Sequence, residues 1–161
     1  MTTTIKTAEL RGVKVIAAMS EESIAFTGSL YLNGKKAADL KNTGQGGCNE
    51  MRFSDHELEK AFCAYCESLP PTPPDQWAID NGFPEPLAME ADYWISLEVG
   101  KVEEKRHWKR QCAKSICVIL KSHGDGEFAL YKNTPYTPEK AAQIRAKFGE
   151  ELVEIINERY L

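Results

Sequence analysis

The 161-residue chain predicts an α+β fold, a mostly antiparallel sheet made from two hairpins with about three helices packed against it. Three observations carry this reading. Asn33-Gly34 joins two β-type runs, the first with its large aliphatic residues and Phe26 in one parity. A second pair of β-type runs flanks Ser122-His123-Gly124-Asp125-Gly126. Helical stripes with start signals follow the hairpins and do not alternate with single strands, so a doubly wound parallel sheet is excluded.

Each element has its own physical reason. Residues 13–19 form a short apolar β run, interrupted by Ser20-Glu21-Glu22-Ser23. In 24–32, Ile24, Phe26, Leu30 and Leu32 share one parity, the period of a half-buried strand. Asn33 and Gly34 tolerate the positive φ of a type I′ turn. Residues 35–41 return, and their Lys-rich start suits a solvated edge. Three glycines in 44–47 make 42–49 a loop. A short strand follows at 51–53. Ser54 reads as a helix N-cap, with Glu57 closing a capping box. Leu58, Phe62, Cys66 and Leu69 then form one apolar stripe. Pro70-Pro71-Thr72-Pro73-Pro74 ends that helix and forms a stiff internal loop.

Beyond the prolines, Asp80-Asn81-Gly82 is a turn signal. A second helix begins near Leu87 or Ala88, with Met89, Tyr93 and Leu97 on one face and Gly100 weakening its continuity. Residues 113–120 read as a buried strand, and 127–132 as its return. Thr137-Pro138-Glu139 opens a last helix, with Thr as N-cap and Pro at the first helical position. Its apolar side takes Ala141, Ile144, Phe148, Leu152, Ile155 and Tyr160, with Gly149 as a kink. The length suits one domain over 1–161, with 70–74 as a loop inside it.

Composition bounds the function. The chain has 20 Lys and Arg against 24 Asp and Glu, for a net charge of −4, with 42% hydrophobic residues. That apolar content is too high for a disordered chain, and no run approaches the ~18 apolar residues of a membrane span. Met1-Thr2-Thr3-Thr4-Ile5-Lys6 has no apolar stretch of a secretory signal, so a cytoplasmic protein without membrane association is expected. Cys48, Cys63, Cys66, Cys112 and Cys117 are odd in number, which fits reduced thiols. The charge is segregated: +2 over 1–53, −9 over 54–98, +5 over 99–121 and −2 over 122–161. Fields of that kind steer partners when they face solvent.

Tyr31-Leu32-Asn33-Gly34-Lys35-Lys36, then Asn42, Gly44 and Gly46-Gly47-Cys48-Asn49, resemble a family of small conserved proteins of bacterial, plasmid and phage genomes. Thr137-Pro138-Glu139, Lys147-Phe148-Gly149 and Ile155-Ile156-Asn157 share the likeness. The resemblance covers about half the chain. It implies a bacterial or phage cytoplasm and an accessory role on a mobile element, and it carries no catalytic residue across.

Several constellations bear chemistry. In the Gly-rich loop, free N–H groups can form an anion nest, with Asn42, Gln45 and Asn49 adding directional bonds around Gly44, Gly46 and Gly47. The plainer role of these glycines is turn geometry, and the loop lacks the Lys-Ser/Thr of a phosphate-binding loop. Cys63 and Cys66, with His56 and Cys48, have chemically plausible zinc ligands, but Cys66 falls on the apolar stripe. Cys48 with His56 or His123 is the candidate nucleophile and base of a small hydrolase. Asp125 and Glu127 lie near His123, in what is first a turn. Lys101, Lys105, Arg106, Lys109 and Arg110, interleaved with Trp108, can hold phosphates and stack a base, or form a solvated helix face.

No catalytic set is coherent, and no cofactor or metal is expected. The leading expectation is therefore a non-enzymatic protein that binds another protein through the Gly-rich loop and the acidic 54–98 region. A nucleic-acid-binding module using the 101–110 basic segment and a small Cys48-dependent hydrolase are the alternatives.

Overall fold

The Asn33-Gly34 turn forms as its chemistry requires, with φ of 49° and 80°. In the computed structural model, which describes residues 3–161, it joins β2 (Phe26–Leu32) to β3 (Lys35–Asn42) in antiparallel register. Asn33 also fixes the incoming chain. Its Oδ1 accepts from the N–H groups of Lys6 (2.8 Å) and Thr7 (3.2 Å), and its Nδ2 donates to the Thr4 carbonyl (2.8 Å). β1 (Ala8–Val15) pairs with β2, and β4 (Glu50–Phe53) pairs with β3, giving the order β1-β2-β3-β4.

The first strand differs from the sequence reading. It begins before residue 13, because Gly12 at φ 63° absorbs a bulge between Arg11 and Lys14. Ala17–Met19 turns as a 3₁₀ segment. The Ser20 hydroxyl donates to the Ile16 carbonyl (3.0 Å) and accepts from the Ala25 N–H (2.9 Å), which bends the chain out of the sheet.

The first helix, α1 (His56–Glu67), is capped by Asp55, whose carboxylate accepts from the Glu57 N–H at 2.9 Å. Ser54 is not the cap. Its N–H and hydroxyl donate to the Ala37 carbonyl, at 3.0 and 3.3 Å, so it still belongs to the sheet connection. Phe62 is fully buried, with Trp94 edge-on at 5.4 Å and Phe53 at 6.1 Å. Burying a ring of that size contributes about 1.5–3 kcal/mol. A short helix unforeseen in the sequence, α2 (Gln76–Asp80), precedes the long α3 (Ala91–Lys114). α3 runs unbroken through Gly100, since one glycine costs only about 1 kcal/mol against twenty-three better helix formers.

The second hairpin joins β5 (Ile116–Leu120) to β6 (Ala129–Tyr131). The region read as one last helix is instead α4 (Pro138–Phe148), a 3₁₀ turn, β7 (Leu152–Ile155) and α5 (Asn157–Tyr160). Gly149, at φ 51°, ends α4, and Leu152-Val153-Glu154-Ile155 then pairs antiparallel with β5. β5 is thereby central in the order β6-β5-β7. Its residues alternate between two cores. Ile116 and Val118 pack with Ala141 and Ile144 of α4, while Cys117 packs with Cys112 and Ile156.

The single expected sheet is therefore two antiparallel sheets, of four and three strands, and the described residues form five α-helices where about three were expected. Contacts divide the chain into two units, one ending at Gly100 and one beginning at Lys101. Among the described residues, no helix is long and apolar enough to cross a membrane.

Candidate functional site

The acidic middle region contains a closed lobe. Thr72 and Leu87 form a two-bond bridge, each N–H donating to the other's carbonyl at 2.9 Å. The chain between them is internally organised. Asp75 caps α2 by accepting from the Ala78 N–H at 2.8 Å. Asn81 Nδ2 donates to the Trp77 carbonyl at 2.9 Å, and the Phe83 N–H to the Ala78 carbonyl at 2.8 Å. Gly82 takes φ 86° and turns the chain back.

What the lobe shows to solvent is unusual. Trp77 is 69% exposed, Phe83 64%, Leu87 57% and Ile79 46%. Isolated exposed apolar residues are ordinary, but four on one ordered lobe are not. No Lys, Arg or His lies between Lys60 and Lys101, whereas Asp75, Asp80, Glu85 and Glu90 all do. The lobe is thus an apolar tip on a stretch of chain whose charged residues are all acidic. Sequence reasoning located the acidic region and missed the tip. The signal was available in Trp77, Ile79 and Phe83 lying between proline runs too short for a core helix.

The Gly-rich loop is largely turned inward. Asn42 and Asn49 are buried. Asn42 Oδ1 accepts from the Gly44 N–H (2.8 Å) and the Ser23 hydroxyl (3.0 Å), and its Nδ2 donates to Asn49 Oδ1 (2.9 Å) and the Gly47 carbonyl (3.1 Å). Asn49 N–H donates to Asp92 Oδ1 at 2.7 Å, and its Nδ2 to Ser96 Oγ at 2.9 Å. The Gly46 N–H donates to Ser23 Oγ at 3.2 Å. Two donors that an anion nest would use, those of Gly44 and Gly46, are therefore already bonded within the protein. Gly44 has a steric reason as well: at φ 84°, an added Cβ would lie 2.1 Å from the Met19 carbonyl oxygen. Gln45, Gly47 and Cys48 remain exposed.

The thiols and imidazoles are spread out. Among the described residues, no three His, Cys, Asp or Glu side chains gather to hold a metal, so Cys48, His56, Cys63 and Cys66 do not make the zinc set considered above. Cys66 is buried, and burial pushes its thiol up to about 12, with the nearby Cys63 and Glu67 adding to it. Burial likewise raises Cys63. Cys112 and Cys117 are buried together, and burial raises Cys117 to about 11. Cys48 is exposed. His56 is 71% exposed, with Nδ1 3.2 Å from Glu59 Oε2. His123 Nδ1 accepts from the Leu120 N–H at 3.1 Å.

The basic segment lies within α3. Lys105, Arg106, Lys109 and Arg110 are exposed, and Arg110 pairs with Glu103 at 3.4 Å. Trp108 is half-buried. It meets Phe128 edge-on at 4.9 Å and Tyr160 at 6.3 Å, beside Cys112, Cys117 and Ile156. The ring offered for base stacking is thus packed against a core and only partly open.

Compared with protein-family models, curated proteins and solved structures, the chain matches none of them.

Proposed function

We propose that this chain is a protein-binding accessory protein whose contact surface is its acidic middle region, centred on the lobe between Thr72 and Leu87. The observation that carries this reading is the exposure of Trp77, Ile79, Phe83 and Leu87 on an internally bonded lobe. Aromatic anchors of this kind dominate binding energy when a partner pocket desolvates them. An ordered lobe loses less conformational entropy on docking than a floppy loop does. The surrounding carboxylates select a partner whose pocket is rimmed by Lys or Arg, and they speed the encounter. The exposed Gln45 and Cys48 edge of the Gly-rich loop is the secondary contact, while Asn42, Gly44 and Asn49 maintain the loop.

The test is capture of partners from an extract of the source cell on the immobilised chain. Trp77→Ser with Phe83→Ser should abolish a specific capture that Gln45→Ala only weakens. Each anchor should be worth about 2 kcal/mol, or roughly thirtyfold in Kd. Equal capture by the double variant would remove the lobe from the interface.

A further inference from the structure

The unit beginning at Lys101 carries a cleft of about 420 Å³ that nothing above uses. Its size falls in the range of small-molecule sites, about 300–1,000 Å³. The floor is aromatic and aliphatic, with Trp108 and Phe128 edge to face and Ile119 and Ile156 beside them. One wall is the turn between β5 and β6. Gly126, at φ 77°, lets that turn fold tightly, and the Gly124 N–H is held by Glu127 Oε2 at 2.9 Å. The His123 ring is fixed through Nδ1, so in the neutral ring the proton sits on Nε2.

The charges around this floor do not cancel. Glu154 and Arg159 satisfy each other through two bonds, of 2.9 and 2.6 Å. Glu127 is engaged by the turn. That leaves Glu104 on α3 and Asp125 at the turn, neither in an ion pair among the described residues, against Lys121 alone. Two open carboxylates lining the same cleft as Trp108 and Phe128 are complementary to a cation with an apolar body. The carboxylates offer charge-assisted hydrogen bonds to the ammonium, and the aromatic side chains cover its apolar body.

We infer that this cleft binds a small organic amine, with its ammonium held by Glu104 and Asp125 and its apolar body seated on Trp108 and Phe128. The site is independent of the acidic lobe and stands or falls without it.

Three probes with the same ring separate charge from apolar fit: phenethylamine, 2-phenylethanol and 3-phenylpropionate. Each is titrated into the full chain at low salt while the three indole N–H resonances are followed by NMR, with Trp108 assigned through Trp108→Phe. Phenethylamine should shift the Trp108 resonance saturably and leave Trp77 and Trp94 unmoved. The alcohol and the carboxylate should bind at least about tenfold more weakly. Glu104→Gln and Asp125→Asn should each cost about tenfold in phenethylamine affinity at an unchanged melting temperature. Both residues are at the surface, so neither substitution should disturb folding. Equal binding of the three probes, unchanged affinity in both variants, or no saturable shift at tens of millimolar phenethylamine would each overturn the assignment.

Discussion

Asn157→Ala should be among the most destabilising single changes in the protein. Asn157 is fully buried, and its side chain joins three backbone groups. Oδ1 accepts from the Cys117 N–H at 2.8 Å, and Nδ2 donates to the carbonyls of Ser115 at 2.8 Å and Cys112 at 3.2 Å. One side chain therefore ties the end of α3 to the start of β5. Truncation leaves the Cys117 N–H buried without that acceptor, a cost of about 1–3 kcal/mol. Each carbonyl loses a bond worth about 1 kcal/mol. The total is about 3–5 kcal/mol, set against a typical stability of about 5–15 kcal/mol. With a urea slope of about 2 kcal/mol/M, the unfolding midpoint should drop by about 2 M. Asn157→Asp keeps the shape and the acceptor but turns a donor into a carboxylate oxygen facing two carbonyls, so it should be no better than Ala. A midpoint shift below about 0.5 M for Asn157→Ala would refute the keystone role.

Three other outcomes follow from the same geometry. Gly44→Ala should destabilise far more than Gly12→Ala in urea melts. Both glycines have positive φ, which costs about 1–2 kcal/mol for alanine, but only at Gly44 does the new Cβ strike a backbone oxygen. A thiol reagent under native conditions should modify Cys48 at once and Cys63 more slowly, while Cys66, Cys112 and Cys117 wait for unfolding, as mass spectrometry of the labelled peptides would show. Stability should fall at alkaline pH. The buried thiols lose their protons near about 12 for Cys66 and about 11 for Cys117, against an ordinary 9.0 in the unfolded chain. Their contribution is whole below pH 9.0 and is lost as pH rises through those folded values, by up to about 1.4 kcal/mol per pH unit for each thiol. Cys66→Val should flatten that decline, and an unchanged slope in alkaline urea titrations would argue against it.

What the sequence disclosed was mostly local. The Asn33-Gly34 hairpin and the Thr137-Pro138 helix start were readable because their determinants are adjacent residues with fixed backbone preferences. The misreadings came where distant partners decide. Leu152 and Ile155, three apart, fit a helical stripe, and pairing with β5 overrode it in favour of a strand. The Gly-rich loop looked open to an anion because one satisfying group, Ser23, reaches Gly46 from elsewhere in the chain, and because Asn42 turns its own side chain back on Gly44. Trp108 stood among cations in the sequence, yet it packs against Phe128 and Tyr160 and not among those cations. The acidic surface was visible as a charge count, but the display of Trp77 and Phe83 depends on the Thr72–Leu87 bridge, which no periodicity encodes.

The most direct measurement is site-specific photocrosslinking in the source cell, with a photoreactive phenylalanine analogue placed in turn at positions 77, 83, 45 and 109. The proposed interface predicts one protein adduct shared by positions 77 and 83, weaker or absent at 45, and lost from 77 when Phe83 is also changed to Ser. Silence at 77 and 83 with adducts at 45 or 109, or a nucleic-acid adduct at 109, would contradict it and place the working surface elsewhere.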